Sequence, residues 1–248
     1  MAGGVDQATL PKGRAVIDAY IEISLDSGAA FKPVSISPDI WYGATDDITV
    51  GLIHSTAGQT GFVGAVGDAL CITGSDNGCA KVYDNVGVDV RYKLKPGDFS
   101  WAFAGGLYFE SFDPSELALK LGAVGRWHKD KLAVELQPAL FFGLTNRSVD
   151  IPQPGGGTVT ETVNGDILSV PVTGFYAVTP KVSAALQTGI ILPFENTSDR
   201  YAIPLTIGAH FLATEKFNLN LSFSFPFLIA KNGGADFRTI TIGGSYAL

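Results

Sequence analysis

Apolar and polar side chains alternate along the segment formed by residues 85–127. Residues 86–94 read VGVDVRYKL, so every second residue is apolar and the residues between are charged or glycine. A β-strand directs successive side chains to opposite faces, so this spacing predicts a strand with one apolar and one ionic face. A run of turn formers follows at residues 95–98. The alternation then resumes in two further stretches, residues 99–110 and 117–127.

Three features of these stretches favour a lipid environment over the interior of a soluble β-sandwich. Each is about ten to thirteen residues long, and a tilted membrane-spanning strand needs about 9–11. Their polar face mixes charged residues with Gly and Ala, which suits a crowded aqueous interior. Aromatic residues of the apolar face, among them Tyr92, Phe99, Trp101 and Trp127, flank turns, where a membrane interface would lie. These stretches therefore predict the wall of a transmembrane β-barrel.

The same alternation recurs along the whole chain and predicts an all-β fold, a closed antiparallel barrel of about twelve strands in an up-and-down meander. Every second connection is a turn of about three or four residues, whereas most others are longer, above all residues 56–80 and 146–166. Outer-membrane barrels have short periplasmic turns and longer external loops. This assigns both termini to the periplasm, with residues 1–12 as an N-terminal tail and residues 13–248 as a single barrel domain.

Outward-facing aromatic residues form a predicted girdle at the short-turn end of this barrel. The girdle residues are Tyr42, Tyr92, Trp101, Trp127, Tyr176, Phe217 and Tyr246. Prolines, by contrast, interrupt the predicted strands at Pro38, Pro138, Pro171, Pro204 and Pro226. Proline has no N–H to donate, and a closed barrel has no free edge where that loss is harmless. We therefore expect bulges, or strands that end earlier, at these prolines.

The amino-acid composition limits the environments in which these strands could lie. Of the 248 residues 46% are hydrophobic and 17% charged, yet no run of eighteen apolar residues exists to form a transmembrane helix. A closed barrel is then the remaining way to cross a bilayer, because open sheet edges leave backbone groups unpaired in hydrocarbon. The net charge of −7 argues against nucleic acid as a partner. Residues 1–10 lack the basic start and apolar core of a signal peptide, so we expect a mature chain with an added Met1.

The two cysteines, Cys71 and Cys79, lie in the sequence CITGSDNGC. Their spacing does not fit a C-x-x-C metal or redox site, and the chain has no second pair. We expect them to close a short loop as a disulfide, a bond that persists in oxidising compartments. A pair of buried free thiols is the alternative. No metal site and no cofactor are predicted.

The chain resembles the bacterial outer-membrane β-barrel class over nearly its whole length. Members of that class usually end on alternating hydrophobic residues with an aromatic last residue, which acts as an assembly signal. Here Ile240, Ile242 and Tyr246 keep the alternation, while Leu248 stands where the class usually has Phe. The resemblance implies a location in a bacterial outer membrane. It matches no particular family and so implies no particular function.

The side chains that point into the barrel determine which solutes could pass through it. Eight strands are filled by their own side chains and sixteen leave an aqueous channel, so the outcome for twelve depends on side-chain size. The inward positions are rich in Ser, Thr, Ala and Gly; the charges lie on the first seven strands, and the last five offer neutral polar residues and His210. The candidate pore-lining residues are Asp18, Glu22, Asp39, Asp89, Arg91, Lys93, Glu110, Lys120, Arg126, Glu135, Gln137, Asn218 and Asn220.

We therefore expect a monomeric, porin-like channel in a lipid bilayer, for passive diffusion of small polar solutes or ions. If the lumen conducts, neutralising Arg91 and Lys93 is expected to shift its cation preference. In an alternative interpretation the inward charges pair with one another and merely hydrate or plug the lumen. A closed barrel would then act through its long loops, residues 56–80 and 146–166, as an adhesin or receptor.

Two further alternatives are an enzyme and a soluble protein. Outer-membrane phospholipases, which use a lipid-facing His and Ser, resemble the arrangement around His54, which has outward parity near Asp84. Nucleophilic catalysis needs Ser beside its base, but Ser55 points the other way, so we predict an interfacial polar pair and no enzyme. A lipid-modifying enzyme would hydrolyse phospholipid in a His54-dependent way. A soluble β-barrel or sandwich would bury its apolar faces and stay in solution without detergent.

Overall fold

The computed structural model describes residues 8–26, 33–64, 69–74, 79, 81–152, 157–195, 197–231 and 233–248. Two short helices occur within these ranges, α1 (Thr56–Thr60) and α2 (Thr197–Arg200). The strands are β1 (Ala15–Ser24), β2 (Val34–Gly43), β3 (Ile48–Ile53), β4 (Ala69–Cys71), β5 (Tyr83–Asp84), β6 (Val86–Lys95), β7 (Phe99–Phe112), β8 (Ser115–Lys129), β9 (Leu132–Leu136), β10 (Ala139–Gly143), β11 (Ser148–Pro152), β12 (Thr158–Thr162), β13 (Ile167–Ala177), β14 (Val182–Pro193), β15 (Ala202–Leu212), β16 (Phe217–Ala230) and β17 (Thr239–Ala247). In the described ranges, no helix is long and apolar enough to span a bilayer.

The main sheet closes on itself. Strand β1 pairs with β17 on one side, for example Ile21 with Ile242, and with β2 on the other, for example Ile21 with Ile36. Strands β9 and β10 lie end to end between β8 and β13 and together act as one strand. The ring therefore has twelve strand positions, while β4 and β5 extend the wall beside β2 and β11–β12 form a separate hairpin. The predicted closed, twelve-stranded antiparallel barrel is confirmed.

Apolar side chains point out of the barrel and polar side chains point into it. Val88 and Leu221 are 54% and 56% exposed, whereas the inward-facing Asp89 and Lys120 are 0% and 3% exposed. Sheet packing in a soluble protein places apolar side chains inside. An apolar exterior around a polar interior is the arrangement of a transmembrane barrel. The soluble alternative is therefore wrong.

Aromatic residues lie near both ends of the barrel exterior. The predicted girdle residues all keep outward positions near the short turns, and their role at a membrane interface stays a prediction. Of these residues, the four tyrosines Tyr42, Tyr92, Tyr176 and Tyr246 are exposed. A second group, which the sequence analysis missed, lies at the opposite end. There Tyr83 and Phe109 each stack on Phe112, with 5.8 Å between the ring centroids.

The prolines within predicted strands lie where strand pairing is interrupted. Pro38 faces a gap between β3 and β4 on the neighbouring side of β2. Pro138 separates β9 from β10, and Pro171 on β13 faces that break. Pro204 and Pro226 lie at a register shift between β15 and β16. Because each missing N–H falls at such an interruption, the expected bulges and early strand ends are confirmed.

Cys71 and Cys79 form the expected disulfide, with 6.0 Å between their Cα atoms. Cys71 belongs to β4, which pairs with β2 at Ser35 and Ile36. The bond therefore ties residue 79 to the barrel wall at the long-loop end.

The second long loop carries the hairpin β11–β12 on a base held by polar side chains. Asn164 is 2% exposed, and its amide donates to two backbone carbonyls 2.6 and 3.1 Å away. Arg147 donates to Asp166 at 2.8 Å and to Glu195 at 3.3 Å. An isolated two-stranded hairpin is marginally stable in water, so these contacts hold it in place.

We expect the base of this hairpin to loosen in acid. The hydrogen bond from Arg147 lowers the pKa of Asp166, and side-chain hydrogen bonds with Thr162 and then Arg147 lower the pKa of Glu195. Carboxylates with a lowered pKa stabilise the loop above their ordinary pKa, about 3.9 for Asp and 4.3 for Glu, and this contribution is lost as the pH falls through the lowered values. Hydrogen exchange, corrected for intrinsic rates, is expected to show faster opening of β11 and β12 below about pH 4.

The barrel strands serve as the internal control for this measurement, since their protection is expected to persist. An Arg147→Ala variant is expected to open at neutral pH as readily as in acid. Protection of β11 and β12 that is the same at neutral and acidic pH would contradict the assignment of these ion pairs as the base of the hairpin.

Candidate functional site

A gap in the barrel wall lets one connection turn inward. Strand β2 pairs with β3 at residues 40–43 and with β4 at residues 35 and 36, which leaves residues 37–39 without a strand partner on that side. The chain leaves β3 at this gap and enters the barrel. Residues 54–64, which include α1, then cross the interior; we name them the lumen segment.

A buried carboxylate anchors the start of the lumen segment. Asp39 of β2 is 1% exposed. It accepts hydrogen bonds from the backbone N–H groups of His54 at 2.7 Å and Ser55 at 2.9 Å, and from the Ser55 hydroxyl at 2.5 Å. Ser55 also caps α1 by accepting from the N–H of Gly58 at 2.8 Å. Gly58 lies so close to Asp39 that a Cβ atom there would overlap the carboxylate, so glycine permits the approach.

Gln187 on the opposite wall and Thr239, two strand positions from β2, hold the far end of the lumen segment. Gln187 of β14 accepts from the N–H of Val63 at 2.9 Å and donates to the carbonyl of Gly61 at 2.8 Å. Thr239 of β17 donates to the carbonyl of Gly64 at 2.9 Å. The lumen segment is thus bonded to strands on opposite sides of the barrel. It forms a partition across the lumen.

Residues near the N-terminus also lie inside the barrel. Ala8, Thr9 and Leu10 are buried. The N–H of Leu10 donates to Thr49 Oγ1 at 2.7 Å, and the Leu10 side chain packs in a buried cluster with Tyr108. Residues 1–7 of the predicted periplasmic tail lie outside the described residues. The entry of residues 8–10 into the lumen was not predicted from the sequence.

A cavity of about 350 Å³ lies between the lumen segment and the short turns; we name it the vestibule. Its inner end is bounded by Ala57, Gly58 and Val63, and it extends to Lys181 and Lys216 in the short turns. Charged residues of β1, β2, β6, β8 and β9 line one side. Neutral polar residues of β13 to β17 and His210 line the other. The two predicted walls, one ionic and one neutral, therefore face each other across the vestibule.

The structure separates the predicted pore-lining residues into three groups. Those that line the vestibule are Asp18, Asp39, Arg91, Arg126, Glu135, Gln137, Asn218 and Asn220. Glu22, Asp89, Glu110 and Lys120 have inward positions outside it; Glu110 accepts from Gln59 of the lumen segment at 2.9 Å. Lys93 lies at the short-turn rim, with its ammonium 3.4 Å from Asp47. The lining of a conducting pore by these residues stays a prediction.

Several inward charges are paired, as the alternative interpretation expects. Lys120 Nζ lies 2.8 Å from Asp89 Oδ2, which also accepts from the Tyr108 hydroxyl at 2.7 Å. Arg126 Nε lies 2.5 Å from Glu135 Oε2. These pairs limit the cost of burying charge, because an opposite charge offsets part of the lost hydration. Their effect is to hold the ionic wall in one arrangement.

His54 has other partners than the sequence analysis expected. Its ring nitrogens lie 2.7 Å from the carbonyl oxygen of Pro38 and 3.1 Å from the hydroxyl of Tyr83. Asp84, the predicted partner, is ion-paired with Lys81 at 3.8 Å. Among the described residues no cluster of three or more His, Cys, Asp or Glu side chains could hold a metal ion.

Known proteins resemble this chain in fold but not in sequence. No protein-family model matches the chain, and no curated protein does. The NanC porin matches over 94% of this chain and 100% of its own, with 11% identity and a TM-score of 0.62. An outer membrane channel from Pseudomonas putida F1 matches over 100% of both chains, with 15% identity and a TM-score of 0.60. The fold is that of outer-membrane porins and channels.

The KdgM porin, solved in complex with disordered oligogalacturonate, extends the same likeness. It matches over 93% of this chain and 98% of its own, with 11% identity and a TM-score of 0.55. At the level of the fold, these likenesses and the apolar exterior confirm the predicted place in a bacterial outer membrane.

Proposed function

We propose that this chain is a porin-like channel through which small polar solutes diffuse passively across a bacterial outer membrane. The observation that carries the proposal is the vestibule, a cavity of about 350 Å³ that has charged and polar residues on facing walls and extends toward the short turns of a barrel with an apolar exterior. In this proposal the lumen segment forms the constriction of the path. In this proposal residues 13–248 form one monomeric barrel, with both termini in the periplasm.

Planar-bilayer recording of the refolded protein tests the proposal. We expect discrete single-channel steps, because in this proposal ions pass from the vestibule alongside the lumen segment to the other side. A correctly inserted barrel that leaves the bilayer sealed would contradict it. That result would favour the second candidate function, a closed barrel acting through its outer loops.

The hairpin β11–β12 favours that second candidate to some degree. Every residue of β11 is exposed, and the polar base described above holds the hairpin in a defined position. The other long loop favours it less, because residues 56–64 fold into the lumen and cannot present an outer surface. A binding partner recognised by the loops would lose affinity when β11 and β12 are replaced by a short turn.

Charge substitutions test which inward residues line the path. The vestibule is lined by the acidic residues Asp18, Asp39 and Glu135 and by the basic residues Arg91, Arg126, Lys181 and Lys216. We expect Arg91→Gln to shift the reversal potential in a salt gradient toward greater cation preference. Lys93→Gln, on the same strand but at the rim, is the matched control and is expected to shift it far less. Equal shifts for both variants would contradict the placement of Arg91 in the path.

A further inference from the structure

A guanidinium in the vestibule has donors that no acceptor uses. The Arg91 side chain lines the vestibule and is 11% exposed. Its Nε atom is fully buried and has no hydrogen-bond partner among the described residues. The Asp89 Oδ1 atom with which it is ion-paired lies 3.8 Å from Nε, beyond hydrogen-bond distance. A guanidinium offers five N–H donors in a rigid fork. Since Nε is buried, the terminal Nη groups are the donors that can face the vestibule.

The neighbours of Arg91 hold its side chain in this position without accepting a hydrogen bond from Nε. Its Cζ atom lies 3.9 Å from the ring centroid of Trp41, which is 7% exposed. Asp89 cannot turn toward it freely, because its other oxygen is bonded to Lys120 and Tyr108. A buried donor left without a partner is energetically unfavourable. The guanidinium is therefore held in one position, where it can donate hydrogen bonds to a planar anionic group.

We propose that the vestibule is a binding site for a small organic monocarboxylate, whose two oxygens accept hydrogen bonds from Arg91. This rests on the proposed function, since it names the class of solute that the channel holds on its way. A carboxylate matches the fork of a guanidinium in two parallel hydrogen bonds. The vestibule volume lies within the range of about 300–1,000 Å³ typical of small-molecule sites. The amides of Asn218 and Asn220 on the other wall can bond to polar substituents.

The charges around the vestibule favour a single negative charge. Asp18 and Glu135 line the same cavity as Arg91, and Glu135 already has a partner in Arg126 at 2.5 Å. The other basic residues of the cavity, Lys181 and Lys216, lie at its short-turn end. These carboxylates would repel the second charge of a phosphate dianion or a dicarboxylate. One carboxylate beside Arg91 leaves the rest of the ligand facing neutral polar groups. The site therefore selects a monocarboxylate over more highly charged anions.

Trp41 provides a readout that does not depend on conduction. In a background with Trp101→Phe and Trp127→Phe, Trp41 is the sole tryptophan, and its ring touches the Arg91 guanidinium. The refolded protein in detergent is titrated with N-acetylglycine, with its neutral isostere N-acetylglycinamide and with inorganic phosphate. We expect a saturable change of Trp41 emission with N-acetylglycine and binding at least about tenfold weaker for the other two. Equal responses to the acid and the amide would overturn the proposal.

Variants of one residue complete the test. Arg91→Gln is expected to abolish the response, Arg91→Lys to weaken it about tenfold because the fork is lost, and Lys93→Gln to leave it unchanged. If Arg91→Gln does not give a folded barrel, Arg91→Lys decides, and unchanged affinity in it overturns the proposal. If the barrel conducts ions but Trp41 emission does not respond to N-acetylglycine, the binding site is overturned and the channel function is not. If Trp41 emission responds but the barrel leaves bilayers sealed, the channel function is overturned and the binding site is not.

Discussion

Replacing residues 55–64 with Gly-Ser-Gly-Ser is expected to raise the single-channel conductance several-fold. These residues cross the lumen and are bonded to opposite walls through Asp39 and Gln187, so their removal is expected to widen the path at the proposed constriction. The shorter connection can still close, because β2 pairs with the preceding strand at Ile40 and with the following strand at Ile36. Four strand residues span only about 13 Å. Planar-bilayer recording measures the change.

Two single substitutions make this prediction specific. Gln187→Ala removes the clamp on the far end of the lumen segment and is expected to increase the open-channel noise and mean conductance. Asn220→Ala removes another vestibule amide, one with no hydrogen bond to the segment among the described contacts, and is the matched control. Conductance that stays the same when residues 55–64 are replaced would show that the segment does not limit the path.

Leu221→Arg is expected to destabilise the inserted barrel by about 2–4 kcal/mol, the cost of placing Arg on the lipid face near the bilayer midplane. Leu221 is 56% exposed on β16, and its side chain points away from the lumen, which Asn220 and Ser222 face. Reversible urea unfolding in lipid vesicles measures the free energy. Asn220→Arg, on the opposite face of the same strand, is the matched control and is expected to cost much less. Equal losses for both variants would contradict the assignment of Leu221, and not Asn220, to the lipid face.

The directions of the side chains could be predicted from the sequence because they repeat with a period of two. Lipid outside and polar groups inside impose the same rule on every strand, so one alternating stretch gives the rule for all of them. The alternation shows whether a side chain points into or out of the barrel, but not how far along the barrel axis it lies. That is why Lys93 was predicted to line the pore although it lies at the rim, where it pairs with Asp47.

The lumen segment could not be predicted in this way, because its position depends on contacts that do not repeat. Asp39 has the predicted inward direction, but nothing in the alternation indicates that it binds the chain leaving β3. A signal is visible once the fold is known. Gly58, Gly61 and Gly64 recur at every third position, and each lies where a Cβ atom would overlap the barrel wall.

The entry of residues 8–10 into the lumen has a similar signal. Inward positions of β7 carry the small residues Ala102 and Ala104, which form a buried cluster with Ala8 and Val124. Small inward side chains in the sequence were interpreted as room for water. In the structure part of that room holds the chain itself, which leaves the vestibule smaller than a twelve-stranded barrel would otherwise enclose.

Nitroxide labels placed one at a time at residues 219 to 223 of β16 measure the orientation on which everything else depends. In bilayers, collision rates with oxygen, which concentrates in lipid, are expected to peak at Leu219, Leu221 and Phe223. Collision rates with a water-soluble nickel chelate are expected to peak at Asn220 and Ser222. The opposite pattern, with oxygen maxima at Asn220 and Ser222, would contradict a barrel with a hydrated interior and a lipid-facing apolar surface.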